Sequence, residues 1–162
     1  MQPPRPISLI LQTPAAPAPD ARDHFAAKLS FETDPSDVNY DLTNRKSGFV
    51  VVDARSRDAH SDLHVPGAIS LPHGTISAGT TAALQGQGII VVYCWSASCN
   101  GATRAAIRLA SLGFQVKEMI GGLEAWVAEG YATEGALAKD VSFAEYLRHH
   151  HHAPTGPFSR DR

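Results

Sequence analysis

Residues 89–101, IIVVYCWSASCNG, join an apolar run to a short polar loop that ends in glycine. A continuous run of mostly β-branched residues is typical of a strand that is buried on both faces of a sheet. Cys94 follows this strand directly. Beyond the loop, small and apolar residues recur at helical spacing, and Gly113 closes the segment as a C-cap glycine does. The residues with this spacing are Ala102, Ala105, Ala106, Leu109 and Leu112.

Two further apolar runs lie on either side of this segment. Phe49 to Val52 is entirely apolar and ends in Asp53, which predicts a second strand buried on both faces. Val116 to Ile120 is more polar, since it contains Lys117 and Glu118, and predicts a strand nearer an edge. A strand, a helix and a strand in this order predict a β-α-β unit with a right-handed crossover. We therefore predict an α/β fold in a single domain, with an open parallel sheet flanked by helices on both faces.

Shorter local signals predict the elements around this core. A helix is expected from His24 to Leu29, and residues 34–37, DPSD, are expected to turn and to cap a second short helix. A helix from Leu123 to Glu129 should bury the Trp126 indole against the core, and Gly130 should end it. A further amphipathic helix is expected around Phe143, Tyr146 and Leu147. The predicted division of the chain is a Pro- and Ala-rich lead-in at 1–20, extended or mobile, a domain at 21–133 with its core at 49–131, and a C-terminal helix and mobile tail at 134–162.

Composition excludes several classes of function. Lys and Arg total 14 against 16 Asp and Glu, and no basic run stands out, so we expect no nucleic-acid partner. No apolar stretch approaches the roughly 20 residues that a membrane-spanning helix needs. The run from Ile7 to Leu11 is also too short for the apolar region of a signal peptide. We therefore expect a cytoplasmic protein without a membrane partner.

The two cysteines, Cys94 and Cys99, lie five residues apart. In a reducing compartment such a pair is more often two free thiols than a structural disulfide. A structural zinc site would need further thiolates, and the histidine run His149–His152 lies in a polar tail. We assign no metal and no cofactor to the fold.

Cys94 is predicted to be the reactive group. A cysteine at the carboxyl end of a parallel strand, before a loop and a helix, lies where ligands bind in open α/β sheets. Backbone N–H groups and the positive end of the helix dipole converge there and favour a thiolate, a persulfide or a bound oxyanion. The alternative is an inert buried thiol. The amides expected in this cradle are those of Trp95, Ser96, Ala97, Ser98, Cys99, Asn100 and Gly101.

Four motifs make the sequence resemble the rhodanese family over residues 49–131. They are VVDAR at 51–55, HVPGAISLP at 64–72, VYC at 92–94 and GGLEAW at 121–126. The resemblance implies a sulfurtransferase that takes sulfane sulfur from a donor such as thiosulfate and passes it to a thiophilic acceptor such as cyanide or a thiol. It assigns the persulfide-forming role to Cys94.

The loop departs from the family pattern in two ways. It is longer than usual, which implies a wider cradle, and Arg104 in the following helical turn is expected to reach a donor anion. The related dual-specificity phosphatases need Arg where this chain has Asn100, so phosphatase and arsenate reductase activity are disfavoured. The second departure is Cys99, which is either a resolving thiol for Cys94 or a small packing residue. The alternative function is a non-catalytic rhodanese-like module that binds an unidentified protein partner or senses redox state through a Cys94–Cys99 disulfide. An exchange of the two cysteine roles stays open.

Other residues are expected to support the site. Asp53 and Arg55 are predicted to pair at the strand end, with a structural role favoured over a chemical one. His64 titrates in the range of acid–base catalysis, but in the resembled family this position helps to hold a turn. Trp95 is expected either to form a wall of the pocket mouth or to pack in the loop.

Overall fold

The computed structural model describes residues 8–138 and Tyr146. The chain divides into two compact units, one ending at Phe31 and one beginning at Glu32. In the first unit, helix α1 spans Ala18–Phe31 and follows a 3-10 helix at Ile10–Gln12. The predicted helix His24–Leu29 lies inside α1. The lead-in that we expected to be extended or mobile up to residue 20 is helical at Ile10–Gln12 and from Ala18 onward. Pro19 is tolerated because an N–H in the first helical turn has no partner within the helix.

The second unit contains a five-stranded sheet in which every neighbouring pair is parallel. The strands are β1 at Glu32–Thr33, β2 at Phe49–Asp53, β3 at Ile69–Ser70, β4 at Ile89–Tyr93 and β5 at Val116–Met119. Their order across the sheet is β1-β5-β4-β2-β3. The three long strands were predicted. The two-residue strands β1 and β3 were not, because such short segments carry no periodic pattern.

Three helices lie between strands along the chain, and a fourth follows β5. They are α2 at Pro35–Thr43, α3 at Arg57–Asp62, α4 at Gly101–Ser111 and α5 at Gly122–Ala128. Asp34 caps α2 by accepting a hydrogen bond from the Asp37 amide at 2.8 Å, as the DPSD turn predicted. The predicted helices before Gly113 and before Gly130 correspond to α4 and α5.

Alternate residues of the central strands feed two hydrophobic clusters, one on each face of the sheet. Val92 of β4 packs in the cluster that contains Leu109 of α4, and Tyr93 packs in the cluster that contains Trp126 of α5. The predicted open parallel α/β sheet with helices on both faces is therefore confirmed. Trp126 is buried, and its indole N–H donates to the Ala132 carbonyl at 2.8 Å.

Of the helix predicted around Phe143, Tyr146 and Leu147, the structure describes only Tyr146. Tyr146 is helical and buried, and its hydroxyl donates to the Ala59 carbonyl at 3.2 Å. Phe143, Leu147 and His149–His152 lie outside the described residues. Within the described ranges, no helix has the length and apolar character needed to cross a membrane.

Candidate functional site

Cys94 lies at the carboxyl end of β4, the middle strand of the sheet. The start of α5 is fastened to this end. The Leu123 amide donates to the Cys94 carbonyl at 3.0 Å, and the Glu124 amide donates to the Trp95 carbonyl at 2.9 Å. These bonds fix the strand end and the first residues of the following loop, so the position of the Cys94 side chain is set by a distant part of the chain.

The loop between β4 and α4 folds back on itself. The Cys99 amide donates to the Ser96 carbonyl at 3.1 Å, and the hydroxyl groups of Ser96 and Ser98 are 2.9 Å apart. This turn carries the Cys99 sulfur to 2.7 Å from the Cys94 sulfur, while both cysteines are free thiols. Cys94 is 4% exposed and Cys99 is half-buried. The sulfur nearer to solvent is therefore that of Cys99.

Two glycines permit this close packing. A Cβ on Gly101 would lie 2.6 Å from the Cys94 sulfur and 3.4 Å from the Cys99 sulfur, so only glycine lets the start of α4 approach both. Gly122 has a φ of +60°, and a Cβ there would lie 2.5 Å from the Cys94 carbonyl oxygen. Among the described residues, the Asn100 side chain makes no capping hydrogen bond to α4. The amides of the first turn of α4 are therefore available to bind groups in the site.

The two thiols share one negative charge. The Cys94 thiol donates to the Cys99 sulfur, and the amides of Gly101 and Trp95 also point to it, so the pKa of Cys99 falls to about 5 although burial opposes this. The pKa of Cys94 is raised, first because its thiol is held by Cys99 and second because it is buried. The Trp95 amide lowers the pKa of Cys94, as expected, but these two effects outweigh it, and a reactive thiolate on Cys94 stays a prediction. The Gly101 amide and the lower burial of Cys99 favour the negative charge on Cys99 over Cys94.

A cavity of about 250 Å³ opens beside the two sulfurs. Five of the predicted loop residues line it, namely Ser96, Ala97, Ser98, Cys99 and Asn100. Gly101 and Arg104 are not among its described lining residues. Arg104 is exposed on α4 and acts electrostatically on His73.

Trp95 is not among the described lining residues of this cavity, and its side chain packs against residues outside the loop. Its ring lies 4.6 Å from the Arg55 guanidinium carbon and 5.8 Å from the Tyr146 ring. Successive side chains along an extended chain point to opposite faces, so the residue after Cys94 faces the other cluster.

Glu118 was missed by sequence reasoning. It lies on β5 next to β4 and lines the cavity, where its carboxylate accepts from the Thr103 hydroxyl at 3.0 Å. Burial raises the pKa of Glu118. The sequence shows Glu118 as a charged residue within a predicted strand. It does not show the pairing register of β4 and β5 that brings Glu118 beside Cys99.

A family model described as Rhodanese-like domain matches residues 38–129, which is more than half of the chain. The chain belongs to the rhodanese-like domain family. The match contains β2 to α5 and therefore the whole Cys94 loop, so the resemblance based on four motifs is confirmed.

Solved structures with this rhodanese-like fold include the BH2092 protein from Bacillus halodurans, with 43% identity, a TM-score of 0.74 and coverage of 76% of this chain and 90% of that one. A rhodanese-like domain from Anabaena sp. has 29% identity and a TM-score of 0.61, and covers 68% of this chain and 83% of its own. The HTH-type transcriptional regulator Rv0324 of Mycobacterium tuberculosis is 35% identical over 97 residues, which are 59% of this chain. The match spans 42% of that curated relative.

The supporting residues of this rhodanese-like domain form a buried network at the end of β2. Arg55 Nη2 lies 2.6 Å from Asp53 Oδ2. The Tyr93 hydroxyl donates to the same carboxylate oxygen at 2.7 Å. Burial alone would raise the pKa of Asp53, but hydrogen bonds from His60 and Arg55 lower it to about 2. The network contacts the main chain near Ala59 and joins β2 to β4, which agrees with the favoured structural role.

His64 is placed to hold a turn. Its ring stacks on His60 with 3.8 Å between centroids, and its Nδ1 donates to the His60 carbonyl at 2.6 Å. Its backbone pairs with that of Glu134 in an isolated antiparallel bridge. His64 is not among the described lining residues of the cavity. Within the described part of the chain, no group of three or more His, Cys, Asp or Glu residues is arranged to hold a metal ion.

Proposed function

We propose that this rhodanese-like domain is a sulfurtransferase that moves sulfane sulfur from a small donor, such as thiosulfate, to a thiol or cyanide acceptor through a persulfide on Cys94. The observation that carries the proposal is the contact of 2.7 Å between the Cys94 and Cys99 sulfurs beside an open cavity. A thiolate is the nucleophile in such chemistry, and this pair holds one at neutral pH.

The transfer begins when the shared proton moves from Cys94 to Cys99 along the short contact between the sulfurs. The Cys94 thiolate then attacks the outer sulfur of thiosulfate. The S–S bond of the donor breaks, and sulfite leaves with the bonding electrons. Cys94 now carries a persulfide anion, which the amides at the start of α4 stabilise. An external thiolate or cyanide attacks the outer sulfur of the persulfide, takes it up and restores the Cys94 thiolate.

The cavity favours donors of low negative charge. Among its described lining residues none is Lys, Arg or His, and Glu118 contributes a carboxylate. Thiosulfate carries two negative charges, so its approach is opposed electrostatically. The acceptors, a thiolate or cyanide, each carry one negative charge, so Glu118 opposes their approach less than that of thiosulfate. We place the reaction in a reducing, cytoplasmic compartment, because the proposed transfer needs Cys94 and Cys99 as thiols.

Mass spectrometry of the intact protein tests the proposal. After incubation with excess thiosulfate and removal of the donor, Cys99→Ser protein should gain the mass of one sulfur atom, located on Cys94 by peptide mapping. Cys94→Ser protein should gain none, and Ser111→Ala at the far end of α4 provides a control for handling. The absence of sulfur uptake by every variant that contains Cys94 would refute the proposal.

A redox-sensing module is the second candidate, and the same sulfur contact favours it. Mild peroxide should then close a Cys94–Cys99 disulfide rapidly, while no sulfur donor is turned over. Measurement of free thiols alongside sulfite release from thiosulfate separates the two candidates.

A further inference from the structure

We propose that Cys99 resolves the Cys94 persulfide internally, so that the domain releases the sulfane sulfur as sulfide and is regenerated by an external dithiol. This inference rests on the proposed sulfurtransferase function. It adds a second product, a second substrate class and a chemical role for Cys99.

The geometry supplies a nucleophile that is already in place. The Cys99 sulfur is 2.7 Å from the Cys94 sulfur, and both are free thiols. An external acceptor must enter through the cavity, whereas Cys99 is held at the inner sulfur by its own loop turn. An oriented intramolecular group competes with external reactants at effective concentrations that no cellular thiol reaches.

The electrostatics favour Cys99 as the attacking group. Its thiolate accepts from the amides of Gly101 and Trp95, and both donors are backbone groups that a persulfide on Cys94 does not remove. His73 adds a further favourable charge effect. After persulfide formation the proton on Cys99 can therefore pass to the outer sulfur of the persulfide, which becomes the better leaving group for it.

The step balances in atoms and electrons. The Cys99 thiolate attacks the Cys94 sulfur, the bond between that sulfur and the outer sulfur breaks, and the outer sulfur leaves as HS⁻ with the bonding electrons and the transferred proton. A Cys94–Cys99 disulfide forms. The two cysteine sulfurs are oxidised, and the sulfane sulfur is reduced to sulfide.

Regeneration requires a dithiol. One thiolate of the dithiol attacks the half-buried Cys99 sulfur rather than the more deeply buried Cys94 sulfur. The second thiol then displaces this mixed disulfide intramolecularly. Each turnover consumes one thiosulfate and one dithiol, and yields sulfite, sulfide and the oxidised dithiol.

The test compares the wild-type chain with Cys99→Ser in a single turnover with excess thiosulfate and no added thiol. Wild-type protein should pass transiently through a form heavier by one sulfur atom and end as a disulfide lighter by two hydrogen atoms. It should release one equivalent of sulfide, measured colorimetrically. Cys99→Ser should accumulate the persulfide and release at least about tenfold less sulfide in the same time. Ser111→Ala, remote from the site, should behave as wild type.

The outcomes separate the inference from the proposed function. A stable persulfide in both proteins, with no sulfide from wild type, overturns internal resolution and leaves the sulfurtransferase proposal standing. No sulfur uptake by either protein overturns both. A dithiol such as dithiothreitol should restore the wild-type thiols after the turnover, and failure to restore them also overturns the inference.

Discussion

The carboxyl ends of β2 and β4 both carry buried ionisable pairs, but the two pairs differ in how completely their charges are matched. At the end of β2, the Asp53 carboxylate receives hydrogen bonds from Arg55, Tyr93 and His60. At the end of β4, Cys94 and Cys99 share one charge and one proton. The Asp53 carboxylate is fully hydrogen-bonded, so it holds the surrounding chain in place. The single proton shared by Cys94 and Cys99 leaves one of the two sulfurs available as a nucleophile. The four predictions that follow test this contrast.

The largest effect is expected for Cys94→Ala on sulfur transfer. The substitution removes the proposed carrier sulfur, so the rate of thiocyanate formation from thiosulfate and cyanide should fall by at least about 1000-fold. Cys99→Ala should retain measurable transfer to cyanide, because the carrier sulfur remains. Equal losses in the two variants would contradict the assignment of Cys94 as the carrier.

Asp53→Asn should affect stability rather than chemistry. It leaves the buried Arg55 guanidinium without its charged partner, and breaking a buried pair in this way costs about 3–5 kcal/mol. Urea unfolding monitored by circular dichroism measures the loss. At a temperature where both proteins are folded, sulfur uptake per folded molecule should change little. A large loss of uptake without a loss of stability would mean that this network takes part in the chemistry.

The pH dependence of Cys99 alkylation should distinguish the two sulfurs. Because its pKa is lowered to about 5, Cys99 loses its proton as the pH rises through 5, so its reaction with iodoacetamide should rise there and then level off. The alkylation rate of an ordinary cysteine thiol would rise only near pH 8.5.

Cys94→Ala removes the main cause of this low pKa, and should move the midpoint of the alkylation profile upward. The rate at pH 7 should change little, since higher intrinsic nucleophilicity offsets most of the lost thiolate, so the midpoint is the readout. An unchanged midpoint would show that the amides alone hold the charge.

The smallest effect is expected for Glu118→Gln. Removing the carboxylate from the cavity should raise kcat/KM for thiosulfate by about threefold, because less like charge opposes the donor. Glu129→Gln makes the same charge change at the end of α5, outside the described lining, and should have no such effect. Added salt should reduce the difference between Glu118→Gln and wild type.

The sequence by itself determined the frame of the molecule. Strand-like segments at 49–53, 89–93 and 116–119, with a helix before Gly113, define the β-α-β order and put Cys94 at a strand end. Family membership followed from motifs that are contiguous in the chain. These features were readable because period and spacing are local properties, set by neighbours along the chain.

Only the tertiary structure decided where the charge of the site resides. The loop geometry depends on the α5 amides that bind the carbonyls of Cys94 and Trp95, and on the close approach of Gly101. The strand register brings Glu118 into the cavity, and the direction of the chain turns Trp95 away from it. A proton between two sulfurs responds to distances of a few ångströms, and contacts between residues far apart in sequence set those distances.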